Sequence, residues 1–242
     1  MDPITAIAAS GLRAQIDSLD MLANNMANAS TGGYKADREF YSLYAAPEAQ
    51  DNDRVSTMPV IERGWTDWSA GLVRSTGNQL DLAIPGKGFF SVDGPGGQLY
   101  TRNGSFRLGA GGKLVTSDGY AVRGAGGAAL TIQSSRPIEI SSDGTVRQDG
   151  NTIGQLEIVD FTSTAGLAKQ GNSYFRVSDP ALRPTALPGA SVEQGKLEDS
   201  NTGSAEGAVR LVGIMRQFEM LQKAISLAND MNKQAIEEVA KV

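Results

Sequence analysis

Apolar positions follow two rhythms in this chain, every three to four residues at its ends and every second residue through its middle. At the N-terminal end Leu12, Ile16, Leu19, Ala23 and Met26 recur at spacings of four and three, with Leu22 widening the stripe. That periodicity predicts an amphipathic helix. Asp2 ahead of Pro3 marks its start, a capping carboxylate before a proline at the first helical position. The helix should close near Ser30, where Gly32 and Gly33 stop it. Such a helix has roughly seven turns and spans roughly 40 Å at about 1.5 Å per residue.

The C-terminal end repeats the pattern more strongly. Leu211, Ile214, Phe218, Leu221, Ile225 and Ala228 alternate three and four apart, the spacing of a coiled-coil seam. Met220, Ala224, Leu227 and Met231 form a second row, about 180° from the first at about 100° per residue. One helix therefore carries two seams. An ordinary buried helix of a bundle would show the same pattern. The N-terminal segment is the one other long helix available, however, and it can cover a single seam. The second calls for a neighbour such as another copy of the chain.

Three asparagines interrupt the N-terminal helix. On a helical wheel Asn24, Asn25 and Asn28 form one patch opposite the Leu12, Ile16, Leu19 and Met26 stripe, which sets them outside the seam within the chain. Asn costs helix stability relative to Glu or Lys, and short neutral amides suit a face pressed against other polar groups. Fraying of the helix end is the alternative, since Asn competes for backbone partners.

Between the helices lie short alternating runs such as GFFSV, QLYTR, GKLVTS, YAVRG, TVRQ and SYFRV, together with most of the chain's 29 glycines. Asp93-Gly94, Asn103-Gly104, Asp118-Gly119, Asp143-Gly144 and Asp149-Gly150 are candidate hairpin turns. The expected architecture is α+β, with discontinuous N- and C-terminal coiled-coil helices flanking a mainly antiparallel all-β central domain. Its parts are a helix with its Asn-rich terminator (1–35), an extended connecting region (36–75), the β domain (76–178), a Pro-containing linker (179–205) and the last helix (206–242). Within 36–75, YSLYAAPEAQDNDR has the polarity of a loop, and MPVIERGWTDWSAGLVRS has room for a strand or two.

Composition narrows the chemistry. The 242 residues contain no Cys and no His, which removes thiolate nucleophiles, Cys/His zinc sites and every histidine-based triad. No cofactor and no metal are expected. A formal net charge of −5, without any basic run, offers nothing to trace a phosphate backbone, so nucleic acid is not an expected partner. No stretch approaches the roughly 20 apolar residues of a membrane-spanning helix. MDPITAIAAS lacks the basic and apolar regions of a cleavable secretory signal, so export would use another route.

Fragments of catalytic motifs do not hold together. Gly124, Gly126 and Ala129 fit a loose dinucleotide fingerprint, but ALTIQ follows where a helix is needed. Asp51-Asn52-Asp53 begins like a calcium loop without its later glycine and glutamate. Glu139, Asp143, Glu157 and Asp160 leave a carboxylate-pair hydrolase as one alternative. Trp65 and Trp68 leave another, a soluble carbohydrate-binding module.

Three blocks bear a family resemblance. LANNMANASTGGYKADR (22–38), GNQLDLAIPGKGFFSVDGPGGQLYTRNGSFRLGAGGKLVTSDGYAVRG (77–124), and LEDSN (197–201) leading to RQFEMLQKAI (216–225) resemble, in order, segments of the bacterial flagellar axial proteins of the rod and hook. Length and the Arg216-Gln217-Phe218-Glu219 block are most similar to the proximal-rod type, with the distal-rod type as the alternative. Thr202-Gly203 stands where the family usually has Val-Asn. The resemblance implies a structural, non-enzymatic subunit of the basal-body rod in the periplasm. It also implies type III export, assembly with copies of itself and with other rod proteins, no small-molecule substrate and no integral membrane segment. The implied assembly interface is Leu12, Ile16, Leu19, Asn25, Met26 and Asn28 with Leu211, Ile214, Phe218, Leu221 and Ile225.

Overall fold

A computed structural model describes residues 3–45, 57–133, 136–171 and 173–239. The proposed Asp2 cap and the Asp51-Asn52-Asp53 fragment lie outside the described residues. The chain forms two units. One comprises Met1–Ala27, Ala36–Asp67 and Thr202–Val242, the other Asn28–Lys35 and Trp68–Asn201.

The first unit holds helix α1 (Pro3–Ala27), strands β1 (Asp37–Ala45) and β2 (Thr57–Thr66), and helix α2 (Ser204–Val239). β1 and β2 pair antiparallel from Asp37 opposite Thr66 to Ala45 opposite Thr57, with a bulge between Phe40 and Tyr41. The loop expected from Tyr41 is thus strand as far as Ala45. The alternation of Tyr41, Leu43 and Ala45 with Ser42 and Tyr44 suits a pleated ribbon better than the polarity of the following residues suggests.

The helices pack antiparallel. Gln15 Nε2 donates to Gln217 Oε1 at 2.9 Å, Gly11 faces Leu221, and Gly207 faces Met26 and Leu22. Glycine at 207 permits this approach, since a Cβ there would come within 2.6 Å of Met26 Cγ. On α2 the expected seam faces inward, with Ile214 and Ala228 buried and Leu211, Phe218, Leu221 and Ile225 half-buried.

The inward face of α1 is not the expected one. Among its described side chains the buried positions are Gly11, Ala14, Ser18, Leu22 and Asn25, a stripe of mainly small residues spaced three and four apart. Ile16 and Leu19 are 49% and 36% exposed, Ala23 is exposed, and Leu12 and Met26 are half-buried. Small side chains let neighbouring backbone come close, and that requirement outweighs side-chain size in choosing the buried face.

Among the described residues every strand pair of the second unit is antiparallel. Its main sheet runs 167–170, 174–177, 97–101, 89–94, 121–122, 114–116 and 106–108 in spatial order, with 158–160 also pairing 89–94 and 185–186. A three-stranded meander covers 138–140, 145–148 and 151–155. The Pro-containing segment after 178 contributes 193–194, paired with 82–83, and 196–198, paired with 73–75.

Asp118-Gly119, Asp143-Gly144 and Asp149-Gly150 do turn hairpins. In the last, both Asp149 (φ 52°) and Gly150 (φ 78°) are left-handed, as a two-residue primed turn requires. The other two candidates do not. The 89–94/97–101 hairpin turns at Pro95 and Gly96. Gly104 instead lies beneath Leu82, where a Cβ would fall 1.8 Å from the carbonyl oxygen. One apolar core gathers Leu82, Phe90, Leu99, Leu114, Val122 and Val146. A second gathers Phe89, Tyr100, Phe161 and Phe175, with Trp68 packed against it.

Candidate assembly surface

The residues with catalytic overtones have ordinary structural work. Gly124–Ala128 is a tight turn rather than a helix start. Glu157 pairs with Arg123 at 2.9 Å, Asp143 accepts from Thr145, and Asp160 caps the Phe161 amide. Among the described residues no group of three acidic side chains converges as a metal site would need. Trp68 packs against Phe175 and Phe89, with ring centroids 4.7 and 5.7 Å away, and so belongs to a core. Trp65 is exposed on β2, opposite Arg38.

What the first unit offers is helix surface, held in place by polar clips. Asn25 leads with its amide. Its Nδ2 donates to the Asp37 carbonyl at 2.7 Å and its Oδ1 accepts from the Asp37 amide at 2.9 Å. The side chain thereby caps the first residue of β1 as a neighbouring strand would. Of the Asn patch expected to face outward, Asn24 is exposed, but the other two are corrected: Asn25 is 4% exposed, and Asn28, whose Oδ1 accepts from Thr31 Oγ1 at 3.1 Å, is 5% exposed. The amides are needed because the chain reverses immediately after the helix and leaves backbone groups to satisfy.

The second clip is Glu39 of β1. Its carboxylate accepts from Ser18 of α1 and pairs with Arg210 of α2, so one side chain ties three elements. The Glu39 side chain is 3% exposed. Burial alone would raise its pKa, but the Ser18 hydroxyl, the Glu39 amide and Arg210 together hold it below the ordinary carboxylate value. A depressed folded-state pKa stabilises above the unfolded value, and the contribution is lost as pH falls through the folded one. Glu39→Gln is therefore expected to cost about 1–2 kcal/mol at neutral pH. Its deficit against wild type should shrink as pH drops below about 4, read from thermal midpoints of both proteins across pH. An equal deficit at pH 3 and pH 7 would count against the carboxylate.

Opposite these clips the helices present apolar surface. Ile16 and Leu19 of α1 with Ile214, Met215 and Phe218 of α2 line a groove of about 320 Å³. On the far side of α2, Val209, Met220, Leu227 and Met231 are 62–76% exposed. Met220, Leu227 and Met231, with the exposed Ala224, are the second row anticipated from periodicity, Val209 extends it, and among the described residues nothing covers it. Large apolar side chains aligned along one face mark an interaction surface more than isolated ones do. Among the described residues no helix is long and apolar enough to cross a membrane.

Comparison with known proteins finds three matching segments. Residues 6–35 match a model described as flagella basal body rod protein, 83–148 one for the D1 domain of flagellar hook protein FlgE/F/G, and 193–238 one for the C-terminal part of flagellar basal body rod FlgEFG proteins. The flagellar basal-body rod protein FlgF of Caulobacter vibrioides is 32% identical over 227 residues, covering 93% of this chain and 92% of that protein. Rod proteins FlgG of Agrobacterium fabrum and Borreliella burgdorferi are 32% and 34% identical, covering 93% of this chain and 95% and 94% of their own length. With matched segments at both helices and in the β unit, and relatives similar over nearly their whole length, the chain belongs to the flagellar basal-body rod protein family.

Proposed function

We propose that the chain is a structural subunit of the proximal rod, of the FlgF type, which assembles through its terminal helices into the shaft that carries motor torque. One observation carries the choice of type. Alignment with the FlgF of Caulobacter vibrioides runs over 227 positions for 93% of this chain, whereas alignments with FlgG proteins run over 250 to 257 positions for 93–96%. The FlgG comparisons need many more gaps, which additional residues in the longer FlgG chains explain. A distal-rod, FlgG-type subunit is the second reading, favoured by the number of FlgG relatives at similar identity.

In the assembly α1 and α2 of each subunit would pair as a coiled coil, and the Ile16, Leu19, Met215 and Phe218 groove would meet helices of neighbouring subunits. Leu12, Met26, Leu211, Leu221 and Ile225, half-buried in one chain, would be covered further. The subunit would leave the cell through the flagellar type III export apparatus, unfolded, and would catalyse nothing.

Deleting the gene tests this. Electron microscopy of basal bodies is expected to show rods missing or cut short, with swimming on soft agar lost and both restored by complementation. Complete rods in the deletion strain would defeat the rod reading.

A further inference from the structure

The chain passes between its two units at 27/28, 35/36, 67/68 and 201/202. On the β side, three of these passages end at one hydrogen-bonded cluster with a buried centre. Lys35, the last residue before the second passage, is 2% exposed, and its Nζ donates to Glu198 Oε1 at 2.6 Å and to the Ser69 carbonyl at 2.7 Å. Ser69 follows the third passage. Asn201, just before the fourth, donates through Nδ2 to Ser69 at 3.2 Å and through its amide to the Tyr34 carbonyl at 3.3 Å.

Arg102 joins this cluster to the sheet. Its Nε donates to Glu198 Oε2 at 2.8 Å, and its two terminal nitrogens donate to the carbonyls of Gly88, Ile84 and Gly86 at 2.6–2.9 Å. Glu198, 1% exposed, also accepts from the Gly71 amide at 3.1 Å.

Two cations and one carboxylate buried together are a costly way to fill a core. Apolar side chains of similar volume commonly give equal or greater stability. Apolar contact is non-directional, however, whereas charge-assisted hydrogen bonds to named backbone atoms fix both position and azimuth. We infer that the Lys35–Glu198–Arg102 cluster is a torsional anchor: it locks the β-side ends of three connecting strands to one another and to the sheet, so that twisting load passes between helices and β unit without slip. The inference rests on the rod reading for the origin of the load.

The test replaces the cluster with apolar groups, Lys35→Met, Arg102→Met and Glu198→Leu together. This chain is expected to fold with a thermal midpoint near wild type, and to enter basal bodies, as an immunoblot of isolated basal bodies would report. Hydrogen exchange at residues 33–35 and 199–201 should quicken about tenfold. Swimming speed should fall increasingly behind wild type as medium viscosity is raised. A folded, incorporated triple variant that matches wild type at every viscosity overturns the anchor.

If the triple variant fails to fold, Glu198→Gln carries the test through the same exchange measurement. Ser69→Cys and Asn201→Cys are added in that background and joined by a short bismaleimide, which the absence of native cysteine makes selective. The bridge ties the 67/68 and 201/202 passages to each other without the charge and is expected to return exchange at 199–201 to the wild-type rate. An unchanged rate overturns the anchor. Absence of the wild-type protein itself from basal bodies would instead defeat the rod reading.

Discussion

Gly33→Ala is expected to destabilise the β unit by about 3 kcal/mol or more. Two costs coincide at this position. Gly33 has φ +66°, a left-handed conformation that costs a residue with a Cβ about 1–2 kcal/mol. The added carbon would also fall 2.4 Å from the Arg102 carbonyl carbon and the Asn103 nitrogen. These are backbone atoms in the bend that directly follows strand 97–101, and they cannot turn aside as a side-chain end can. The Gly33 amide donates to the Glu198 carbonyl at 2.7 Å, so any retreat of the segment also stretches a bond beside the buried cluster. The thermal midpoint should drop by roughly 6–12 °C for a chain of this size. Gly32→Ala is the control: its Cβ would meet Asn103 Oδ1 at 3.1 Å with no left-handed constraint, so its effect should be small. Equal midpoints for the two variants would show that the segment repacks.

That contrast bears on what a sequence can disclose. Gly32 and Gly33 are legible as a helix stop, but their unequal burdens arise from Arg102 and Asn103, seventy residues away. Local chemistry was readable where it alone decides: Asp149-Gly150 makes its turn, and the three-four spacing of α2 places Ile214 inward and Met220 outward. Choices made by a distant neighbour were not. The wheel of α1 favours its largest side chains as the buried face, yet the hairpin selects Ala14, Ser18 and Asn25, because Glu39 and Asp37 bring polar groups and backbone there. Lys35, Arg102 and Glu198 each look like solvated charges in sequence, and 163 positions separate Lys35 from Glu198. A short amide such as that of Asn25 suits backbone partners, but only the fold shows that its partner, Asp37, belongs to the same chain.

Phe218→Asp is expected to abolish incorporation into the rod. The ring is half-buried and lines the groove with Ile16 and Leu19, so a carboxylate there loses apolar contact and is partly desolvated, at a cost of about 1–3 kcal/mol. Loss of assembly could then follow from a loosened helix pair within one subunit or from a spoiled contact with the next. Met220→Asp separates the two. Met220 is 62% exposed on the far side of α2, and changing it should leave the midpoint of the purified protein unmoved. If Met220→Asp also excludes the protein from basal bodies, the outer row meets a neighbour and both faces of α2 serve assembly. If Met220→Asp cells swim normally while Phe218→Asp cells do not, the groove face alone is engaged and the outer row lies elsewhere. Normal swimming by Phe218→Asp would remove the groove from the interface. The exposure of Ile16 and Leu19 would then have to be explained by some contact other than helix packing between subunits.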